Sequence, residues 1–534
     1  MDDRGFTVER VVADALATWD GMRRRSGRRA GDERFREWFF EVVPAARLGD
    51  DRDTHAVLSF EVAVELFDRG RVHDAFAVLR WLGRHFAAAP DVGTRVRAVM
   101  ALTDTCAERA TDREARDLAI GVLRDVVGSV HAPVDVPVQD ALCRALSTAA
   151  RLSGEGVVLD RATTRRLVSL WRGLADRCRG SADPRLRDWR AHALGNEALL
   201  WLQVGREDRA RRAFAAITAE FGADPPAPGS GMPGSDVPGS DVHRWVTRAR
   251  YAPTVLDRFD VGEAVLRLDY LRRQRYWDRR LRFRGLGLAH WLLAGAPRNR
   301  LRLLARRARE RHRASVGQVR AWLCAGEPFV LLLRNFDLTE RSGVADRSRL
   351  GAEDEPDHVR VITMTAGAAA LAELAAGVPL VLVASTTAGE LEVVPDPGGF
   401  TAPVRLYLPD ETWFDTVSTL AGVAGQVVVW AAGLSAGLAR ELDALTALRR
   451  TDDTLVVLEH PVAPSPVLPG TPGEPLTADH PALAPFPHVV PAEELRGRRV
   501  PECPPLVRVL DRLDAVRQEP VERRLARLTG RQTG

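Results

Sequence analysis

The sequence predicts a multidomain α + α/β protein. An N-terminal all-α helical-repeat array spans 1–223, a Pro/Gly/Ser linker 224–242, an Arg-rich helical connector 243–325 and a C-terminal doubly wound parallel-sheet domain 326–534. Three observations carry this division. Apolar residues recur at spacings of three and four from Val8 to Gly222, with Gly, Pro or Asp-rich breaks between runs. Proline, glycine and serine then dominate ADPPAPGSGMPGSDVPGSDV (Ala223–Val242), at a density that cannot build a core. After Glu327 the apolar residues gather into short continuous runs separated by helical patterns, as buried parallel strands and their crossover helices require.

Within the helical half, LFDRGRVHDAFAVL (Leu66–Leu79) aligns with LQVGREDRARRAFAAI (Leu202–Ile217). In both, a glycine (Gly70, Gly205) is followed by arginine, and an alanine (Ala75, Ala210) stands five residues after the glycine. AERATDREARDLAIGVL (Ala107–Leu123) fits the same frame, with Ala110 and Ala115 at those positions. Glycine lets the chain reverse between helices, and alanine lets two helices cross closely. The pattern resembles degenerate tetratricopeptide-type repeats, most clearly around Asn196–Phe221, with an irregular helical array as the alternative. Either architecture presents a concave surface, so a protein partner is expected there.

Composition excludes several functions. A chain of 534 residues exceeds what one core serves, and 45% apolar residues suffice for two or three. A net charge of +4 with 28% charged residues is neither a polybasic arm nor an acidic tail. All 76 basic residues are arginine, so lysine-dependent phosphate loops, Schiff-base chemistry and a kinase-type Lys–Glu pair are excluded. The five cysteines form no C-x-x-C pair and no histidine cluster accompanies them, so reduced thiols and no metal are expected. MDDRGFTVER is not a secretory signal, and Val378–Ala384 and Val427–Leu434 fall short of the roughly 20 residues of a membrane helix. A cytoplasmic protein is expected. Between Arg272 and Arg313, fifteen arginines interleave with Tyr276, Trp277, Phe283 and Trp291. Such a segment can hold nucleic acid or a membrane surface, but the irregular spacing of the aromatics favours a solvated helix face.

The final third reads as alternating elements. PFVLLLRNFD (Pro328–Asp337) is a buried strand, followed by a polar loop (Leu338–His358), a helix (Ala366–Ala376) and the strands PLVLVA (Pro379–Ala384) and VRLYL (Val404–Leu408). Asp410 caps a helix whose Trp413, Val417 and Leu420 share one face. A strand at Gln426–Trp430, a helix from about Ala436 to Leu448 and the strand TLVVLE (Thr454–Glu459) follow. A proline-rich loop (Pro461–Pro487) and two short helices end the chain. Ligands of open parallel sheets bind beyond the carboxyl ends of the strands. The candidates are therefore Arg334, Asn335 and Asp337 after the first strand, Ser385, Thr386 and Thr387 after the second, Gly433 and Ser435 after the fourth, and Trp413. With Leu438 at zero and about 100° per residue, Leu442, Leu445 and Leu448 fall at about +40, −20 and −80. Glu441 falls at about −60, inside that apolar sector, whereas Arg440 and Asp443 fall outside it. A buried carboxylate is either paired, for instance with Arg334, or tuned for acid–base work.

The segments LLLRNFD, VRLYLPDETWFDTV and GLSAGLARELDAL, in this order, resemble an uncharacterised family of bacterial α/β domains. In that family a leucine-rich strand ends in Arg-Ser-Phe with a following Asp, and a later helix carries a Glu-Leu pair. Asn335 replaces the serine, and Ala439-Arg440 the tryptophan often found before the glutamate. More remotely, Ser435 through Glu441-Leu442 is similar to the Ser-to-Glu stretch of Toll/interleukin-receptor (TIR) domains and nucleoside deoxyribosyltransferases. The resemblance implies a TIR- or Rossmann-like fold and a catalytic Glu441 that helps cleave an N-glycosidic bond to ribose. NAD or a related nucleotide is then the expected substrate or ligand, with no separate cofactor. The expected function is a signalling or defence-type effector whose α/β domain binds a nucleotide and self-associates. The alternative is a non-catalytic adaptor on the same fold.

Overall fold

The computed structural model describes residues 8–27, 30–31, 34, 52–87, 91–130, 135–154, 161–222, 240–259, 312–334, 378–385, 404–408, 413–431, 433–458, 476–495 and 502–529. The chain forms two compact units, one of Met1–Glu197 with Ala219–Trp245, the other of Ala198–Thr218 with Val246–Gly534. The expected polar loop at Leu338–His358, the helix at Ala366–Ala376 and nearly all of Arg272–Arg313 lie outside the described residues.

The first unit is helical: α1 (Val8–Ser26), α2 (Arg52–Asp68), α3 (Val72–Ala87), α4 (Val92–Arg109), α5 (Arg113–Ser129), α6 (Val136–Gly154), α7 (Arg161–Arg177) and the start of α8 (Pro184–Gln203). The carboxylates of Asp91 and Asp112 accept from the N–H groups of Thr94 (2.6 Å) and Ala115 (2.9 Å), satisfying donors at the starts of α4 and α5. From α2 to α7 each helix packs on the next, and α3 also packs on α5 and α4 on α6. The helical period read from the sequence thus becomes a layered array. All five cysteines are buried free thiols, and the Sγ atoms of Cys143 and Cys178 lie 3.3 Å apart. No helix among the described residues is long and apolar enough to cross a membrane.

The aligned glycine turns share one geometry. Gly70 and Gly205 have φ of 71° and 69°, a left-handed conformation that glycine adopts without a Cβ clash. Arg71 N–H donates to Leu66 C=O (2.8 Å) and Gly70 N–H to Phe67 C=O (2.9 Å). Arg206 and Gly205 repeat these bonds to Trp201 (2.7 Å) and Leu202 (2.8 Å), the paired bonds of a Schellman stop. Gly326 (φ 63°) ends the helix at 312–325 in the same way. Ala110, aligned with these glycines, keeps φ at −82°, because its Cβ disfavours the left-handed region. Ala75 and Ala210 are fully buried. Replacing either with leucine is expected to lower the urea midpoint, corresponding to roughly 1–3 kcal/mol of overpacking. Unchanged midpoints in both variants would refute the alignment.

The helices α9 (Glu207–Phe221) and α10 (Ser240–Arg258) contribute to the second unit up to Thr218 and from Val246, together with the end of α8 and α11 (312–325). Arg320 of α11 donates to Phe259 C=O (3.0 and 2.9 Å) and pairs with Glu207 (2.9 Å). These bonds tie the start of α9 and Phe259, just after α10, to α11 within the second unit. The helix α10 begins at Ser240, inside the expected 224–242 linker. Val242 N–H is held there by the Asp188 carboxylate at 3.1 Å, a tie that composition does not reveal. Residues 223–239 lie outside the described residues.

The sheet contains β1 (Val330–Arg334), β2 (Leu380–Ser385), β3 (Val404–Leu408), β4 (Gln426–Ala431), β5 (Thr454–Leu458) and β6 (Val489–Pro491). All pairings are parallel, in the order β3-β2-β1-β4-β5-β6. Leu332 stands beside Leu382 and Val428, and Val428 beside Leu455. These side chains share a core with Val509 and Leu513 of α14 (Pro504–Gln518), which covers that face. Alternate residues such as Leu331, Val427, Val429 and Val456 are also buried but point to the opposite face. There α12 (Trp413–Val423) and α13 (Ala436–Ala447) pack on one another, and their buried Val417, Leu420, Leu438 and Leu442 do not join the α14 core. The short β6 was not expected from the sequence. Three residues carry no readable period, and β5 supplies its register. The chain closes with α15 (Val521–Thr529).

Candidate ligand site at the start of α13

Strand order reverses between β1 and β4, so the crevice at their carboxyl ends is the topological switch point. The helix α13 starts from that edge. Ser435, with φ −89° and ψ 162°, is its N-cap, and the Ser435 hydroxyl accepts from Leu438 N–H at 3.2 Å. The helix N-terminus thereby presents partial positive charge at the switch point.

Glu441 is 3% exposed, on the face formed by Leu438, Leu442 and Leu445. Burial pushes its carboxyl group up to about 8. Among the described residues it has no hydrogen-bonding or ion-pairing partner. Gly437 lies one turn earlier on the same face, and helical side chains lean toward the N-terminus. Gly437 therefore leaves the first turn of α13 without a side chain on the helix face that carries Glu441. A Cβ at Gly437 would lie 3.7 Å from Ser435 Oγ and 3.8 Å from the Trp413 ring edge. Ser435, Gly437 and Trp413 thus lie together at the first turn of α13. Beside it the Arg440 guanidinium stacks 4.3 Å from the Phe414 centroid, holding that cation on the outer surface. The Ser418 hydroxyl of α12 is buried without a hydrogen-bond partner among the described residues.

Of the residues expected from sequence, Trp413, Ser435 and Glu441 occupy this region. Arg334 ends β1 beside Trp430, and Ser385 ends β2 beside Leu408, so both backbones reach the carboxyl edge of the sheet. The side chains of Arg334 and Ser385, and all of Asn335, Asp337, Thr386, Thr387 and Asp410, lie outside the described residues, as does any Arg334–Glu441 pairing. Gly433 is buried just before the cap. Sequence reasoning missed Gly437 and Phe414. The signal for Gly437 was a glycine four residues before a carboxylate in the apolar sector. One further expectation is corrected: Leu448 is 41% exposed, because α13 ends at Ala447 and Leu448 is its C-cap.

The fold and this site define a protein with a helical N-terminal region and an α/β parallel-sheet region. No family model matches the chain, and no curated protein or solved structure matches it either.

Proposed function

We propose that the protein is a signalling or defence-type effector, in which the helical region binds a protein partner and the α/β region binds a nucleotide at the β1/β4 switch point. The observation that carries this reading is Glu441, a carboxyl group buried without a described partner behind the capped start of α13. An isolated buried carboxylate costs several kcal/mol. Burial therefore keeps the group protonated up to about pH 8, and a positively charged group bound beside it would favour the ionised form and relieve that cost. NAD is the first candidate, because cleavage of its nicotinamide–ribose bond moves positive charge onto the ribose. Glu441 would stabilise that oxocarbenium-like state, while the start of α13 and Arg334 would face phosphate. The strand order supports this reading, since 3-2-1-4-5-6 is the order in which dinucleotides bind across the switch point. So does the resemblance of Ser435–Leu442 to TIR and deoxyribosyltransferase segments, which makes a TIR- or Rossmann-like domain with self-association the structural form of the proposal. Tetratricopeptide-type packing, read from the matching turns at Gly70 and Gly205, is its counterpart in the helical region.

Nicotinamide release from NAD by the full-length chain tests the proposal. Assayed above about pH 8, where the carboxyl group is ionised, Glu441→Gln keeps the shape and removes the charge, so turnover there is expected to fall by about 100-fold or more while the protein stays folded. Folded wild-type protein that neither binds nor cleaves NAD or other nucleotides at millimolar concentration would overturn the effector reading and leave the adaptor.

A further inference from the structure

The amino-terminal edge of the sheet holds a polar cavity, at the opposite end of the strands from the carboxyl-end crevice. It encloses about 80 Å³ beside the Gly425 turn, the turn before β5, α14 and α15. The guanidinium groups of Arg450, Arg512, Arg524 and Arg527 line it. The carboxylates on its wall are already engaged. Asp453 forms an ion pair with Arg450 (3.2 Å) and accepts from Arg512 (2.8 Å), and Glu519 accepts from Arg527. Glu327 accepts from Arg517 (2.9 Å), which is outside the lining. Arg450 also donates to Ala424 C=O at 2.6 Å, yet its Nε–H is buried with no acceptor among the described residues. Burial pushes its pKa down, Asp453 pulls it up, and the charges of Arg527 and Arg512 push it down again. The three cations Arg450, Arg512 and Arg527 thus face the two carboxylates of Asp453 and Glu519, and among the described residues the Arg450 Nε–H lacks an acceptor.

We propose that this cavity binds one tetrahedral oxyanion of the phosphate class. Such an anion offers several strong acceptors to guanidinium forks, and it would take the free Nε–H of Arg450 while offsetting repulsion among Arg450, Arg512 and Arg527. Volume selects the size. At about 80 Å³ the cavity holds only a few waters, far below the roughly 300 Å³ or more of a pocket that engulfs a nucleotide. The ligand is inorganic phosphate, or the terminal phosphoryl group of a larger molecule whose remainder stays in solvent.

The test is calorimetric titration of the full-length chain with inorganic phosphate and with phenyl phosphate, alongside thermal unfolding in phosphate and in sodium chloride at equal ionic strength. Saturable phosphate binding and a higher midpoint in phosphate than in chloride are expected. Binding of phenyl phosphate as well marks a terminal phosphoryl site; exclusion of it marks a free-phosphate site. Arg450→Gln and Arg512→Gln should each weaken binding by roughly tenfold or more. Arg512 is more than half exposed, so its variant carries the test if Arg450→Gln does not fold. Equal midpoints in phosphate and chloride, or undiminished binding by Arg512→Gln and a folded Arg450→Gln, would overturn the proposal.

Discussion

Glu441→Gln is expected to change stability little at about pH 4 and to raise it at about pH 8 by several kcal/mol. The carboxyl group titrates at about 8 in the folded protein against an ordinary value of 4.5. Below the unfolded value both states hold the proton, and burial carries no charge penalty. Between the two values the unfolded chain has lost a proton that the native state keeps, so native stability falls by roughly 1.4 kcal/mol per pH unit. Above the folded value both states are ionised and the deficit stays constant. Glutamine never ionises, so the variant lacks this fall. Urea unfolding at several pH values measures the difference between the two profiles. Parallel profiles for wild type and variant would show that Glu441 is paired in the native state, and the effector reading would lose its main support. If Glu441→Gln also abolishes turnover, a side chain that weakens the fold at neutral pH has the pattern of a retained functional group.

Gly317→Ala is expected to destabilise the second unit by roughly 3 kcal/mol, the upper part of the usual overpacking range. A Cβ there would lie 2.2 Å from the carbonyl oxygen of Leu202 and 2.9 Å from that of Gln203. Both are backbone atoms, so no rotamer change relieves the clash, and α11 must move off the end of α8. Gly173 in α7 is the control, since a Cβ there meets nothing within 4 Å. Gly173→Ala should stabilise by roughly 0.5–1 kcal/mol through helix propensity. Equal denaturation midpoints for the two variants would show that α11 does not seat closely on Leu202.

The element types were legible because burial leaves a period. Five of the six strands coincide with apolar runs of VLLLR or QVVVWA type, and the buried face of α13 follows from turning 100° per residue. That arithmetic placed Glu441 correctly among Leu438, Leu442 and Leu445. It failed at Leu448, where the helix stops and the angle loses meaning. Strand order was not legible, because alternating strands and helices imply parallel pairing but not which strand lies beside which. The convergence of Trp413, Ser435 and Gly437 depends on that order and on the packing of α12 against α13, so no local pattern announces it. The arginines of the amino-edge cavity were invisible for the same reason. In a chain without lysine, another arginine attracts no notice until Arg450, Arg512, Arg524 and Arg527 are seen around one space.

The placement of β1 in the middle of the sheet also has a kinetic meaning. Val330 pairs on one side with Leu380 and on the other with Gln426, about a hundred residues later in the chain. Helical neighbours such as α3 and α4 close over a few tens of residues and can assemble as soon as they are synthesised. During synthesis β1 can find β2, and β2 can find β3, before β4 exists. A nascent three-stranded half-sheet then carries Val330, Leu331, Leu332 and Leu333 along an open edge until Gln426–Ala431 arrives. That interval is where the chain is most exposed to pairing with another copy of itself, and translation speed across the residues between β3 and β4 sets how long the exposure lasts.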